Sequence, residues 1–186
     1  MLEYRSAFTE LDAAGTPLGG FAHVSVRPVS DRAWLLVQGD PQDARLRDAI
    51  ARHTGLSLPE PVHVSLSDTR ALLWMTPKEW LLEIPLDERT TCASVLASAL
   101  PRDAAVLTDL TDALVGVDLN GARAAEILSA GTGVDLESEA LTSDRVARIA
   151  LAETVVILRR LPAGGFRCLL DRSHLAYFQD WLVTQA

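Results

Sequence analysis

The chain repeats one structural pattern, and that repeat limits what it can fold into. The run Trp34-Leu35-Leu36-Val37-Gln38-Gly39-Asp40 is answered by Ala113-Leu114-Val115-Gly116-Val117-Asp118-Leu119-Asn120-Gly121. In each copy a strand-length apolar run meets a cap residue, and a helical pattern then runs to a glycine. Three strand-like runs and a second helix follow. The first copy reads as a strand at 34–37, Asp40 as helix cap with Pro41 at the first position, and Leu46, Ala49 and Ile50 on one helical face stopped by Gly55. Strands at 62–66, 71–75 and 80–84 come next. A helix from about Asp87 then buries Cys92, Val95, Leu96 and Ala99 and ends before Pro101. Residues 105–110 read as a link.

The second copy gives a strand at 114–119, Asn120 as cap, and Ala124, Ile127 and Leu128 on one helical face. Strands are expected at 146–151, 155–161 and 166–170, with Gly164-Gly165 as a hairpin turn. A last helix capped by Ser173 buries Leu175, Phe178, Trp181 and Leu182. Both halves read β-α-β-β-β-α, with short turns that imply antiparallel pairing and helices on one face of each sheet. The expectation is an α+β protein with antiparallel-rich sheets. It comprises an extended arm at 1–32, a first repeat at 33–103 and a second at 104–186, the two repeats sharing one core.

Composition narrows the function. A net charge of −8 argues against nucleic acid, which requires a basic surface, and against an anionic membrane surface. No run approaches the ~20 apolar residues that span a bilayer. No signal peptide is legible, and Cys92 and Cys168 stand far apart, so a cytoplasmic location is expected.

The search for chemistry finds no cluster. His23, His53, His63 and His174 lack partners at metal-ligand spacing. Gly131-Thr132-Gly133 follows a helix, the reverse of the order a dinucleotide fingerprint needs. Asp109, Asp112, Asp118 and Glu153 read as turn, cap and strand acids. Among the four tryptophans, Trp74 and Trp80 bracket the Thr76-Pro77 turn, where one could serve as an interface anchor. Phe21 and His23 of the arm, with Trp74, Pro77 and Trp80, are therefore the candidate contact residues. No catalytic, cofactor-binding or metal-binding residue is assigned.

The second repeat also carries a family signature. Thr108-Asp109-Leu110-Thr111, followed by Val115 to Leu128, resembles the opening of the folate-binding aminomethyltransferase of the glycine cleavage system. More closely, the chain resembles the γ subunit of heterotetrameric sarcosine oxidase. Three segments carry that likeness: Leu73-Trp74-Met75-Thr76-Pro77-Lys78-Glu79-Trp80-Leu81-Leu82, Thr108 to Asp112, and Asp171-Arg172-Ser173-His174-Leu175-Ala176. The turn at Thr76–Lys78 lacks the glycine and acid usual in the family.

The resemblance implies the aminomethyltransferase-like fold and a non-catalytic accessory subunit in a complex with α, β and δ chains. NAD and the folate-related site would lie in α, FAD in β, FMN between them and zinc in δ, with no cofactor in this chain. Where the aminomethyltransferase has a paired-Asp turn, this chain has Glu153-Thr154, and a threonine hydroxyl cannot carry negative charge at neutral pH. Two other readings remain: the equivalent subunit of an N-methylglutamate dehydrogenase-type complex, and a free-standing folate-binding, aminomethyltransferase-like protein.

Overall fold

The structure, a computed structural model, describes residues 24–136 and 141–185. Phe21 and His23 lie outside them. Two compact units emerge, one formed by Asp31–Asp112 with Asp144–Val146 and the other by the remaining described residues.

The first unit begins with β2 (Arg32–Gly39), the strand expected at Trp34. β1 (Ser25–Val29) precedes it in the chain but belongs to the other unit. α1 (Ala44–Thr54) starts later than Asp40. The carboxylate of Asp40 instead takes the amide of Gln42 at 2.9 Å, closing a turn, and Asp43 caps the helix by accepting from the amide of Arg45 at 2.8 Å. Gly55 ends α1 in the left-handed region at φ 74°, where a glycine pays no steric penalty. β3 (Val64–Leu66), β4 (Ala71–Thr76) and β5 (Glu79–Pro85) follow, then a 3-10 turn and α2 (Arg89–Ala99).

Residues 105–109, expected to be a link, form the strand β6 (Ala105–Asp109) instead. It pairs antiparallel with β2, Val37 facing Leu107. The sheet order is β3-β4-β5-β2-β6. Leu35, Val37, Leu72, Trp80, Leu82 and Ile84 point to one side of it, where Leu46, Ile50 and Leu96 of the two helices complete a buried cluster. Burial of this kind contributes about 25 cal/mol per Å² of apolar surface.

The second unit repeats this plan with β7 (Leu114–Asn120), α3 (Ala124–Ser129), β8 (Val146–Leu151), β9 (Thr154–Arg160), β10 (Phe166–Asp171) and α4 (Leu175–Thr184). Its sheet order is β1-β7-β10-β9-β8, and the pairs β1–β7, β7–β10 and β10–β9 are antiparallel. Val117, Leu119, Val156, Leu158, Cys168 and Leu170 gather with Ile127, Leu128, Phe178 and Leu182 into a cluster of their own. β7 runs through Asn120, so that residue is strand and not cap. α3 has no side-chain cap. Ahead of α4, Asp171 caps the 3-10 turn by accepting from the amide of Ser173 at 2.8 Å, reversing the expected roles of those two residues.

Two equivalent hydrogen bonds fix the true alignment of the repeats. The amide of Leu86 donates to the carbonyl of Asp31, and that of Arg172 to the carbonyl of Ala113, both at 2.8 Å. Ala113 therefore corresponds to Asp31 and not to Trp34. Alternation along a strand has period two, so the three-residue difference decides which side chains face the helices.

The strands that open each half are exchanged. β1 lies immediately before β2 in sequence yet pairs with β7, Val26 facing Leu119, while β6 lies before β7 yet pairs with β2. The segment that reads as an arm is, from Ser25 to Val29, a paired strand.

Candidate functional site

The position of interest is the start of β9, where the resemblance places an acid in catalytic relatives. The β8–β9 turn is built from Ala152 and Glu153, both in the left-handed region at φ 50° and 61°. That geometry suits a two-residue hairpin but favours Gly or Asn, so each residue carries about 1–2 kcal/mol of strain. The amide of Ala152 donates to the carbonyl of Gly131 at 3.0 Å, which ties the turn to the end of α3.

Thr154 follows, 5% exposed. Its hydroxyl shares a hydrogen bond of 2.9 Å with Nδ1 of His174. His174 is carried by the 3-10 turn that Asp171 caps. The hydroxyl of Ser173 donates to Asp171 at 2.6 Å, and that bond and the Ser173 amide hold the Asp171 carboxyl below the ordinary carboxylate range. The arrangement can pass a hydrogen bond from turn to turn. Among the described residues no carboxylate is hydrogen-bonded to the Thr154 hydroxyl, and Glu153 is exposed.

The other acids are occupied by arginines. Arg89, at the start of α2, donates to Asp109 at 2.6 Å and to Asp112 at 2.7 Å. Burial pulls the Asp109 carboxyl up, but Arg89 and the Thr111 amide outweigh it and leave it below its ordinary value. Asp118 lies in β7 opposite Arg167 of β10 and takes its guanidinium through two bonds of 2.7 Å. Such a two-point pair is geometrically specific and orients both side chains. Asp112 and Asp118, which an uninterrupted strand would have put on one face, belong to different ion pairs. None of these partnerships is legible in the sequence, because a fork pairing residues 20 to 49 positions apart leaves no local pattern.

A pocket of about 260 Å³ in the first unit is lined by His53, Arg70, Asp87, Glu88 and Cys92. Arg70 dominates it and is fully engaged, giving Glu88 two bonds of 3.1 and 2.7 Å and reaching the carbonyls of His53 and Thr54 at the end of α1. It serves as a helix clasp. Burial pushes the Cys92 thiol up, and Cys168 shifts the same way for the same reason, so both stay protonated and poorly nucleophilic. Among the described residues no group of three or more His, Cys, Asp or Glu could hold a metal ion. Nor is any helix there long and apolar enough to cross a membrane.

The candidate contact residues separate on exposure. Trp80 is 2% exposed in the first unit's core, which removes it from a contact surface because its own unit already covers it. Trp74, directly across the hairpin from Trp80, is half-buried, and Pro77 is exposed at the turn.

Residues 38–186 match the model of the sarcosine oxidase, gamma subunit family. The sarcosine oxidase subunit gamma of Corynebacterium sp. (strain U-96) is 28% identical over 183 residues, covering 96% of this chain and 88% of that one. In a solved structure of the heterotetrameric sarcosine oxidase from Corynebacterium sp. U-96, in complex with pyrrole 2-carboxylate, one chain superposes with a TM-score of 0.87. The identity there is 26%, with 98% of this chain and 94% of that one covered. The glycine cleavage system aminomethyltransferase T from Bartonella henselae shares the fold at a TM-score of 0.63 and 15% identity, over 87% of this chain and 46% of that protein.

Proposed function

The chain belongs to the sarcosine oxidase gamma subunit family, and on that footing we propose that it is the γ subunit of a heterotetrameric sarcosine oxidase. The complex oxidatively demethylates sarcosine with flavin and passes the one-carbon unit to tetrahydrofolate. FAD, FMN, NAD and tetrahydrofolate are served by the partner subunits in a cytoplasmic assembly with α, β and δ chains. This chain contributes surface and stability, and no proton or nucleophile.

The observation that carries the reading is the Thr154–His174 pair. The position that would supply a carboxylate holds a buried neutral hydroxyl already committed to an imidazole. A neutral group there cannot stabilise a developing cation as a fixed negative charge can. Asp109, Asp112 and Asp118 are spent on Arg89 and Arg167. The arm expected at 1–32, with Phe21 and His23, and the turn between Trp74 and Trp80, exposed at Pro77, are the contact regions proposed from the sequence.

The test is co-expression with sarcosine oxidase α, β and δ chains, followed by affinity capture on this chain. A stoichiometric flavoprotein complex with sarcosine-dependent turnover is expected. Calorimetry of the isolated chain with tetrahydrofolate should give no heat of binding. Micromolar binding of tetrahydrofolate, or capture that brings down no flavoprotein, overturns the proposal.

A further inference from the structure

A sheet edge is a row of unpaired backbone donors and acceptors, and folded proteins usually blunt it with proline, charge or brevity. The described strands leave four edges: β1, β8, β3 and β6. β1 carries Pro28 and the exposed Arg27, β8 carries the exposed Arg148, and β3 is three residues long. β6 has no proline, and its one charge, Asp109, stands at its last position, engaged by Arg89. It reads Ala-Val-Leu-Thr before Asp109, in unbroken register with β2.

The ladder also shows which groups face outward. Antiparallel residues alternate between bonded and non-bonded pairs, and the amide of Leu110 donates to the carbonyl of Trp34 at 2.9 Å. Thr108 and Val106 therefore exchange bonds with β2, whereas the peptide groups of Leu107 and Asp109 point away from it. Ala105 also points away, and its amide is taken by the carbonyl of Pro101. No described strand takes up the others. Val106, 57% exposed, stands on the face where a neighbouring strand would lay its own side chains.

Resting on the subunit reading above, we propose that the open edge of β6 is a docking site for an extended segment of a partner subunit, added as a further strand of this sheet. Main-chain bonds to Leu107 and Asp109 supply the attachment, and Val106 and Thr108 supply the side-chain fit. Charge selects the occupant. At the Asp109 end one guanidinium, Arg89, answers two carboxylates, so that end keeps an excess negative charge. A segment with a β-branched or apolar centre and a Lys or Arg opposite Asp109 complements it. A second copy brings a net charge of −8 of its own, which disfavours pairing of the chain with itself.

The test compares the assembled complex with the isolated chain by hydrogen exchange resolved to single amides. Val106 and Thr108 should be protected in both, while Leu107 and Asp109 should gain at least about a hundredfold protection only in the complex. The double variant Val106→Lys/Thr108→Lys changes exposed side chains and leaves the ladder to β2 intact. It should keep the circular dichroism of the parent and lose at least tenfold in yield of complex. Val155→Lys, at an exposed site on the interior strand β9, should assemble normally. Equal exchange of Leu107 and Asp109 in both states, or wild-type yield from the double lysine variant, overturns the edge proposal while the subunit reading stands. A dimer of the isolated chain that the double variant abolishes assigns the edge to a second copy and overturns it likewise. Failure of the parent chain to assemble overturns the subunit reading itself.

Discussion

The unit around Asp31–Asp112 and the unit around Ala113 onward share a plan down to equivalent hydrogen bonds, yet they treat the polar groups of that plan differently. In the first, α1 runs 11 residues between a carboxylate cap and a left-handed glycine, and Arg70 and Arg89 brace the ends of helices. In the second, α3 is 6 residues long with no side-chain cap, one hairpin turns through two strained non-glycine residues, and an Arg–Asp fork lies within the sheet. A duplicated scaffold tolerates such divergence because each sheet has a buried cluster of its own. Backbone irregularity is present in both halves, with Val62 of the first unit also left-handed at φ 61°. Strain at a turn is a mark of former or present function when the surroundings hold it in place. Here the Ala152-Glu153 turn persists beside a threonine.

The comparison can be broken most forcefully at the cores. Trp80, second in β5 and opposite Val37, and Phe166, first in β10 and opposite Leu119, hold equivalent places in the two sheets, and each is buried. Trp80→Ala and Phe166→Ala should each cost about 3–5 kcal/mol, read as a fall in the denaturant midpoint. A large loss from one and almost none from the other would break the equivalence.

A smaller effect tests the second unit's Gly164-Gly165 turn. A methyl group on Gly165 would collide with the side chain of Asn120 and the carbonyl of Leu119, whereas one on Gly164 meets nothing nearby. Both have positive φ, so Gly164→Ala should cost about 1–2 kcal/mol and Gly165→Ala distinctly more, by thermal unfolding. Equal losses would mean that β7 and β10 do not approach as closely as described.

The smallest effect concerns the braced acids of the first unit. The folded-state pKa of Asp109 is depressed, so its contribution to stability is present above the unfolded value of about 3.9 and is lost as pH falls through the folded value. Asp109→Asn should be less stable than the parent at pH 7 by a margin that stays flat down to about pH 5. The margin should then close below about pH 4. A constant margin down to pH 2 would show that the carboxylate charge contributes nothing there.

Much of this was legible beforehand. Alternating and helical periods locate the strands β2 to β5 and β7 to β10 and all four helices, because side-chain burial repeats along them. Turn chemistry identified Gly55 and Gly164-Gly165. The capping residues slipped: Asp40 closes a turn, Asp43 caps, and Asp171 does the work assigned to Ser173. Several short polar side chains stood within reach of each helix start, and only geometry chooses among them. β6 escapes the pattern because its outward Val106 is as apolar as the inward Leu107 beside it, which hides the alternation an antiparallel strand usually shows. The alignment of Trp34 with Ala113 matches apolar runs at the wrong parity, since the backbone bonds pair Ala113 with Asp31. The candidate site was legible as an absence of acid at Thr154. Its partner His174, 20 residues on, was not, since only the folding of two turns brings them together.

The exchanged opening strands also impose an order of events during synthesis. Everything from β2 to β6 can pair as soon as Asp109 has left the ribosome. β1, made first, must wait until Asn120 has emerged before its partner β7 exists. A strand left idle beside freshly made chain is an invitation to mispair, and Arg27 and Pro28 are the residue types that make it a poor template in the meantime.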